Sequence, residues 1–369
     1  MTGSNQRAQL WVSTMTGHGR GAVVLAHADS RAGVQLERAV DRVERERIEA
    51  ATLAVGATRA AGAGRRARPE QPDPERTCFE RDRDRIVHCT AFRRLAGKTQ
   101  VVVHPSDHQR TRLTHALEVS QVAVAIARSL AANLSLTEAI ALGHDCGHGP
   151  GGHASEDAFA PYLPDGYEHG PWGADVVLAP LNLCAETLDG IRDHSWSRPA
   201  PATVEGEIVS WADRIAYCAH DLEDAVRAGI VSVSDLPEAV VEVAGRSRRE
   251  QIGVFIDGVV QASLGHGRVG MAPAPAQALA ALRAFNYERI YTRPESVAQS
   301  DAVIAVLRAL VDHHIAHPEL TPGFTGDQDP VRAAVAYVGG MTDRFAFEQA
   351  TRRLGWPAGR LPAVLGRET

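Results

Sequence analysis

Residues 203–228 constrain this chain more than any other stretch. Ile208, Val209, Ala212, Ile215, Ala216, Ala219 and Leu222 recur three and four positions apart, as on a helix with one face toward a core. Asp213, Tyr217 and Asp221 recur every four residues along the same helix and so share a stripe. Two carboxylates and a phenol are costly to bury without partners, so the stripe faces either bulk solvent or a wet, charged cavity. Gly229 follows where a C-cap glycine stands. A helix this long needs other helices to cover its apolar face, and the rest of the chain supplies them.

Residues 109–133 place Leu113, Leu117, Val124 and Ala127 near helical spacing. Ser135 with Glu138 reads as a capping box opening a helix that runs to Gly147. Residues 274–290, 296–317, 330–338 and 342–354 continue the pattern, and residues 34–53 form a highly charged helix. Strand-like alternation is rare, with the short residues 100–103 the best candidate, and there is no internal repeat. Aromatic residues are only 5%, and the apolar content leans on Ala, Val and Leu, which suits closely packed helices. The expected class is all-α. At 369 residues the chain can bury one large core or two modest ones.

Residues 1–33 are rich in Gly, Ser and Thr and read as a flexible leader, and residues 59–74 turn to the Gly, Ala, Arg and Pro of a linker. The expected division is therefore 1–76 for leader, charged helix and linker, 77–230 for the part carrying the site, and 231–369 for C-terminal helices packed on it.

The net charge of −6 argues against general nucleic-acid binding. Lys98 is the one lysine among 38 arginines and reads as a surface lysine beside a turn. Arginines can still converge locally on a polyphosphate, whose paired oxygens match the guanidinium fork. The five cysteines are scattered without a CxxC pair, which supports neither a disulfide framework nor a cysteine zinc site. No apolar run approaches the roughly 20 residues of a membrane span, and residues 21–28 are too short for a signal-peptide core. A cytoplasmic protein with no membrane partner is expected.

Eight of the 16 histidines fall between His104 and His194. His144-Asp145 closes a helix and is followed by the glycine-rich residues 147–153. Adjacent helical side chains point about 100° apart, so a doublet grips one ion only where the helix ends or the ion nestles against it. Imidazole with carboxylate suits Mn, Fe, Co, Ni or Zn better than calcium. Arg112 and His115, three apart, share a helix face, and Asp213 offers another carboxylate.

Five ordered segments together resemble the deoxynucleoside triphosphate triphosphohydrolases (dGTPase-like proteins) of the HD superfamily. Residues 81–88, 91–95 and 98–101 are similar to that family's opening segment. Residues 110–119 resemble the segment with its first metal histidine, and residues 144–148 its His-Asp doublet. Residues 212–217 resemble the segment with its last metal aspartate, and residues 341–345 the start of its C-terminal helix. The resemblance spans about residues 77–354. It implies an HD-domain helical fold with additional C-terminal helices and one divalent transition metal on His115, His144, Asp145 and Asp213. Mg²⁺ could accompany the substrate phosphates.

The resemblance also implies roles for other residues. His153 and Glu156 form a histidine–carboxylate pair that activates water or substrate. His148, Arg112, Arg214 and Tyr217 meet the phosphates, with Arg293 as a further contact. Gln100 and Asp221 read the 3′-hydroxyl, Tyr217 crowds the sugar, and His169 is a later active-site histidine. The family usually carries a bulky Phe where this chain has Gly151 and a polar residue where it has Gly170, which implies a pocket wall lacking two side chains. The implied reaction releases a deoxynucleoside and inorganic triphosphate. The alternatives are an HD phosphohydrolase acting on monophosphates, cyclic or signalling nucleotides, and a weakly catalytic nucleotide-binding regulator. A homo-oligomer is implied, with single-stranded nucleic acid as an effector only.

Overall fold

The structure, a computed structural model, describes residues 4–35, 37–101 and 110–362. The chain divides into two units, Met1–Val40 and Asp41–Thr369. The first holds a helix, Ser4–Thr14, and an antiparallel hairpin pairing His18–Arg20 with Val23–Leu25. Composition alone predicted a flexible leader there. The hairpin closes across a two-residue Gly21-Ala22 turn, a local signal outweighed by the polar character of its surroundings.

The second unit is helical and built on Val204–Arg227. The Thr203 side chain accepts from the Gly206 N–H at its start, Ala228 is the C-cap residue, and Gly229 follows with φ +68°, where the sequence places a terminating glycine. Its buried face packs against the helices Arg112–Ser129, Leu134–Gly143, Arg248–His266 and Pro273–Asn286. A smaller apolar cluster joins Pro294–Ala316, Pro330–Gly339 and Asp343–Leu354 through Val303, Leu307, Leu310, Val335 and Phe347. The class is all-α. No described helix is long and apolar enough to cross a membrane.

The helix before the His-Asp doublet starts and ends earlier than predicted. Asn133, not Ser135, is the N-cap, with its side-chain oxygen accepting from the Ser135 and Leu136 N–H groups, and the helix ends at Gly143. Asparagine caps at least as well as serine and comes first in the chain. Gln100 and Val101 lie in no strand, and Val102 and Val103 fall outside the described residues.

The predicted linker is folded onto its surroundings. Ala60 is buried, and Arg66 pairs with the fully buried Asp82 at 2.6 Å. Asp82 also accepts from the Cys184 N–H and the Thr187 hydroxyl. A linker composition cannot reveal an acid waiting elsewhere in the chain. Asp82→Ala should lower unfolding free energy by about 3–5 kcal/mol, since it strands a buried guanidinium. Urea unfolding checks this, and a loss below about 1 kcal/mol would place the pair among the dispensable surface bridges.

Candidate active site

Three helices deliver the ligand-type residues to one place. Arg112 and His115 are buried on the first turn of Arg112–Ser129, and His144 is the C-cap residue of Leu134–Gly143, with Asp145 next in the chain. Asp213 arrives from the middle of Val204–Arg227. His115 Nε2 lies 3.0 Å from Asp213 Oδ1, and His144 Nε2 lies 3.7 Å from the same oxygen and 3.4 Å from Asp145 Oδ1. Donors sharing one ion at about 2.0–2.2 Å stand about 3 Å apart, so these separations fit a single divalent ion.

His144 supplies an independent test of that fit. Its Nδ1–H donates to the Ala141 carbonyl at 2.6 Å, which leaves the Nε2 lone pair free. That Nε2 atom is buried and has no hydrogen-bond partner. Burial opposes ionisation of Asp145, but the Arg112 guanidinium 2.8 Å away holds its carboxyl well below the usual range. Asp213 is also held low against burial, first by its bond to His115. Both carboxylates are therefore charged at neutral pH, as a cation requires.

A second histidine group adjoins the first. The His148 and His169 rings stack 3.8 Å apart, and His153 meets both edge-on. Enclosure by the walls and the Arg112 charge push His153 down, so its ring is neutral at pH 7. His169 Nδ1 lies 2.7 Å from Glu156 Oε1, and His169 Nε2 lies 3.1 Å from His194 Nε2. His194 Nδ1 engages the Ile191 carbonyl at 2.8 Å, so its Nε2 is the acceptor. Burial opposes charge on His169, but Glu156 raises its pKa, and the ring serves both neighbours as a double donor.

Both groups open onto one cavity of about 460 Å³. The Asp213, Tyr217 and Asp221 stripe lines it, so the long helix turns its polar face to this cavity. Arg283 Nε donates to the Tyr217 hydroxyl at 2.8 Å, and the Tyr291 hydroxyl donates to Asp221 Oδ2 at 2.6 Å. Burial pushes the Asp221 carboxyl up to about 7 despite that bond. The Arg214 guanidinium lies 3.4 Å from the centre of the Trp196 ring. Buried atoms without partners around the cavity include donors, Arg112 Nε and Nη2 and Arg214 Nε, and acceptors, Gln100 Oε1 and Asp221 Oδ1.

A family model described as HD domain matches residues 112–218, which contain all four predicted metal ligands. A second, described as phosphohydrolase-associated domain, matches residues 269–352. The deoxyguanosinetriphosphate triphosphohydrolase-like protein of Caldanaerobacter subterraneus subsp. tengcongensis is 38% identical over 312 residues, covering 82% of this chain and 92% of that one. The protein of that name from Desulfatibacillum aliphaticivorans is 39% identical, covering 76% and 88%. This chain belongs to the deoxyguanosinetriphosphate triphosphohydrolase-like family. It is a hydrolase of the HD type.

For this family member, most sequence-predicted residues gather at the cavity. Gln100, Arg112, His115, Asp145, His148, His153, His169, Asp213, Arg214, Tyr217 and Asp221 line it, and His144 stands directly behind. Two expectations need correction. Glu156 pairs with His169 rather than His153, because the returning segment offers both the His169 N–H, at 2.8 Å, and its ring to one carboxylate oxygen. Arg293 lies off the cavity wall, where it caps the Pro294–Ala316 helix and bonds the Ser296 hydroxyl.

The two glycine departures also change meaning. Gly151 has φ +73°, a conformation other residues rarely adopt, and a Cβ there would meet Val303 at 2.5 Å. A Cβ at Gly170 would meet the Arg192 carbonyl at 2.6 Å. Backbone conformation and close packing at Gly151, and close packing at Gly170, account for a glycine at each position, and Gly151 lines the cavity. The sequence reading missed His194, Arg283 and Tyr291. For His194 the signal was the unassigned Asp193-His194 pair, and for the other two it was their place on predicted helix 274–290 or just beyond it.

Proposed function

We propose that this protein hydrolyses deoxynucleoside triphosphates to deoxynucleoside and inorganic triphosphate. The observation that carries the reading is the pattern of unmatched groups around one cavity. Unpaired arginine donors lie near the His-Asp cluster, and the unpaired acceptors Gln100 Oε1 and Asp221 Oδ1 belong to residues lining the same cavity. The donors suit phosphate oxygens and the acceptors suit a sugar hydroxyl.

His115, His144, Asp145 and Asp213 would hold a divalent ion such as Mn, Fe, Co, Ni or Zn, which supplies Lewis-acid polarisation of the α-phosphoryl oxygens. His153, neutral and open to the cavity, takes the proton of the attacking water. His148 and the charged His169, held by Glu156, line the same wall. Arg112, Arg214 and Arg283 offset the phosphate charge. The Trp196 ring packs against the Arg214 guanidinium and restrains it.

Gln100 and Asp221 bond the 3′-hydroxyl, with Tyr291 steadying Asp221, and the Tyr217 ring leaves little room for a 2′-hydroxyl. kcat/KM should therefore fall by about 10²-fold or more relative to dGTP for GTP, whose 2′-hydroxyl meets the Tyr217 ring, and for 2′,3′-dideoxy-GTP, which leaves the buried partners of the 3′-hydroxyl unpaired. Comparable values for all three would remove the sugar-reading role. The test of the reaction is to incubate each dNTP with each metal and resolve the products. Inorganic triphosphate with a deoxynucleoside supports the proposal. Pyrophosphate with a monophosphate, or binding without turnover, overturns it.

A further inference from the structure

The C-terminal motif, residues 341–345, supplies none of the groups assigned above, yet it reaches the site. Asp343 opens the Asp343–Leu354 helix, where an acid would ordinarily serve its own helix end. Its buried carboxylate instead binds two other segments. Oδ2 accepts from the Thr99 N–H at 2.9 Å and from the Thr99 hydroxyl, and Oδ1 accepts from the Gly151 N–H at 2.8 Å. Thr99 precedes Gln100, and Gly151 lies two residues before His153.

Lys98 completes the arrangement. Predicted as a surface residue, it is 4% exposed, and its ammonium donates to the carbonyls of His148 and Gly339. The glycine-rich turn is thus tied at His148 and at Gly151 to the region matching the phosphohydrolase-associated domain. Within the turn the Ser155 hydroxyl bridges the Gly149 N–H and the Gly152 carbonyl, while the Gly151 N–H turns to Asp343 instead, on a backbone that glycine readily leaves.

We propose that Asp343 is a positioning residue, whose carboxylate holds Thr99 and Gly151 at a fixed separation and thereby sets His153 opposite Gln100 across the cavity. The inference rests on the function proposed above only for the role of His153.

The test uses the full chain with Asp343→Asn, which keeps one carbonyl oxygen for donors that now need two. kcat should fall about 10- to 100-fold, the scale of a misplaced reacting group, with KM and metal stoichiometry little changed. In a His153→Ala background the same substitution should change kcat by less than about twofold, because the lost effect runs through the missing ring. Equal losses in both backgrounds, or an unchanged kcat, overturn the proposal.

Histidine-ring NMR gives a readout free of any substrate assumption. The His153 ring signals should shift and broaden in Asp343→Asn while those of His144 hold, and unaltered His153 signals overturn the inference even if no dNTP is cleaved. Should Asp343→Asn fail to fold, Thr99→Val removes only the hydroxyl bond and should produce the same His153 signature more weakly. Its absence there counts equally against the proposal.

Discussion

Asp213→Ala should yield a folded, helical protein that holds no stoichiometric metal and has no measurable turnover. Asp213 Oδ1 approaches both His115 and His144, so it links ligands from two other helices. Its removal also leaves His115 Nε2 without its partner inside the site. Metal affinity depends on the full ligand set, and the loss of one of four ligands costs most of it. The fold should survive, because Asp213 lies on the cavity face of its helix while Ala212, Ile215 and Ala216 make the core contacts. Elemental analysis with circular dichroism checks both halves. Stoichiometric metal with normal activity would refute the ligand assignment.

His153→Ala should retain its metal and lose about 10²-fold or more in kcat, the usual scale for a positioned acid–base group. Enclosure and Arg112 favour the neutral ring, the form a general base needs. The sign for pH follows from that direction. Protonation abolishes the base, so the wild-type rate should fall on the acid side, below the ordinary histidine value of about 6.5. The variant should lose that acid limb along with its rate. Glu156→Gln should act differently, through His169, whose extra proton Glu156 stabilises. If His153→Ala sheds metal together with activity, His153 is a ligand, and the separation of the two histidine groups fails.

These predictions rest on groups of unequal visibility in the sequence. The four-residue recurrence of Asp213, Tyr217 and Asp221 is a property of one helix, and it survives into the fold as the cavity stripe. The His-Asp doublet was equally legible, because a helix end beside glycines is a local event, although the helix stopped sooner than its pattern suggested. Motif resemblance brought in Gln100 and His169, which no periodicity would single out.

What remained hidden has one physical cause. A partner contributed by a distant segment leaves no trace in local pattern. Lys98 looked like a surface residue because its two acceptor carbonyls belong to His148 and Gly339. Residues 59–74 looked like a linker because the acid that binds Arg66 lies in another helix. The resemblance paired Glu156 with His153, whereas the returning backbone presents His169. The helical class, the main amphipathic helix and the ligand types are legible in local pattern, since each depends on residues within a few turns of one another. Which histidine Glu156 serves, which arginines line the cavity and what the C-terminal aspartate holds emerge with the folded arrangement, because those pairings depend on where separate helices bring their side chains in space.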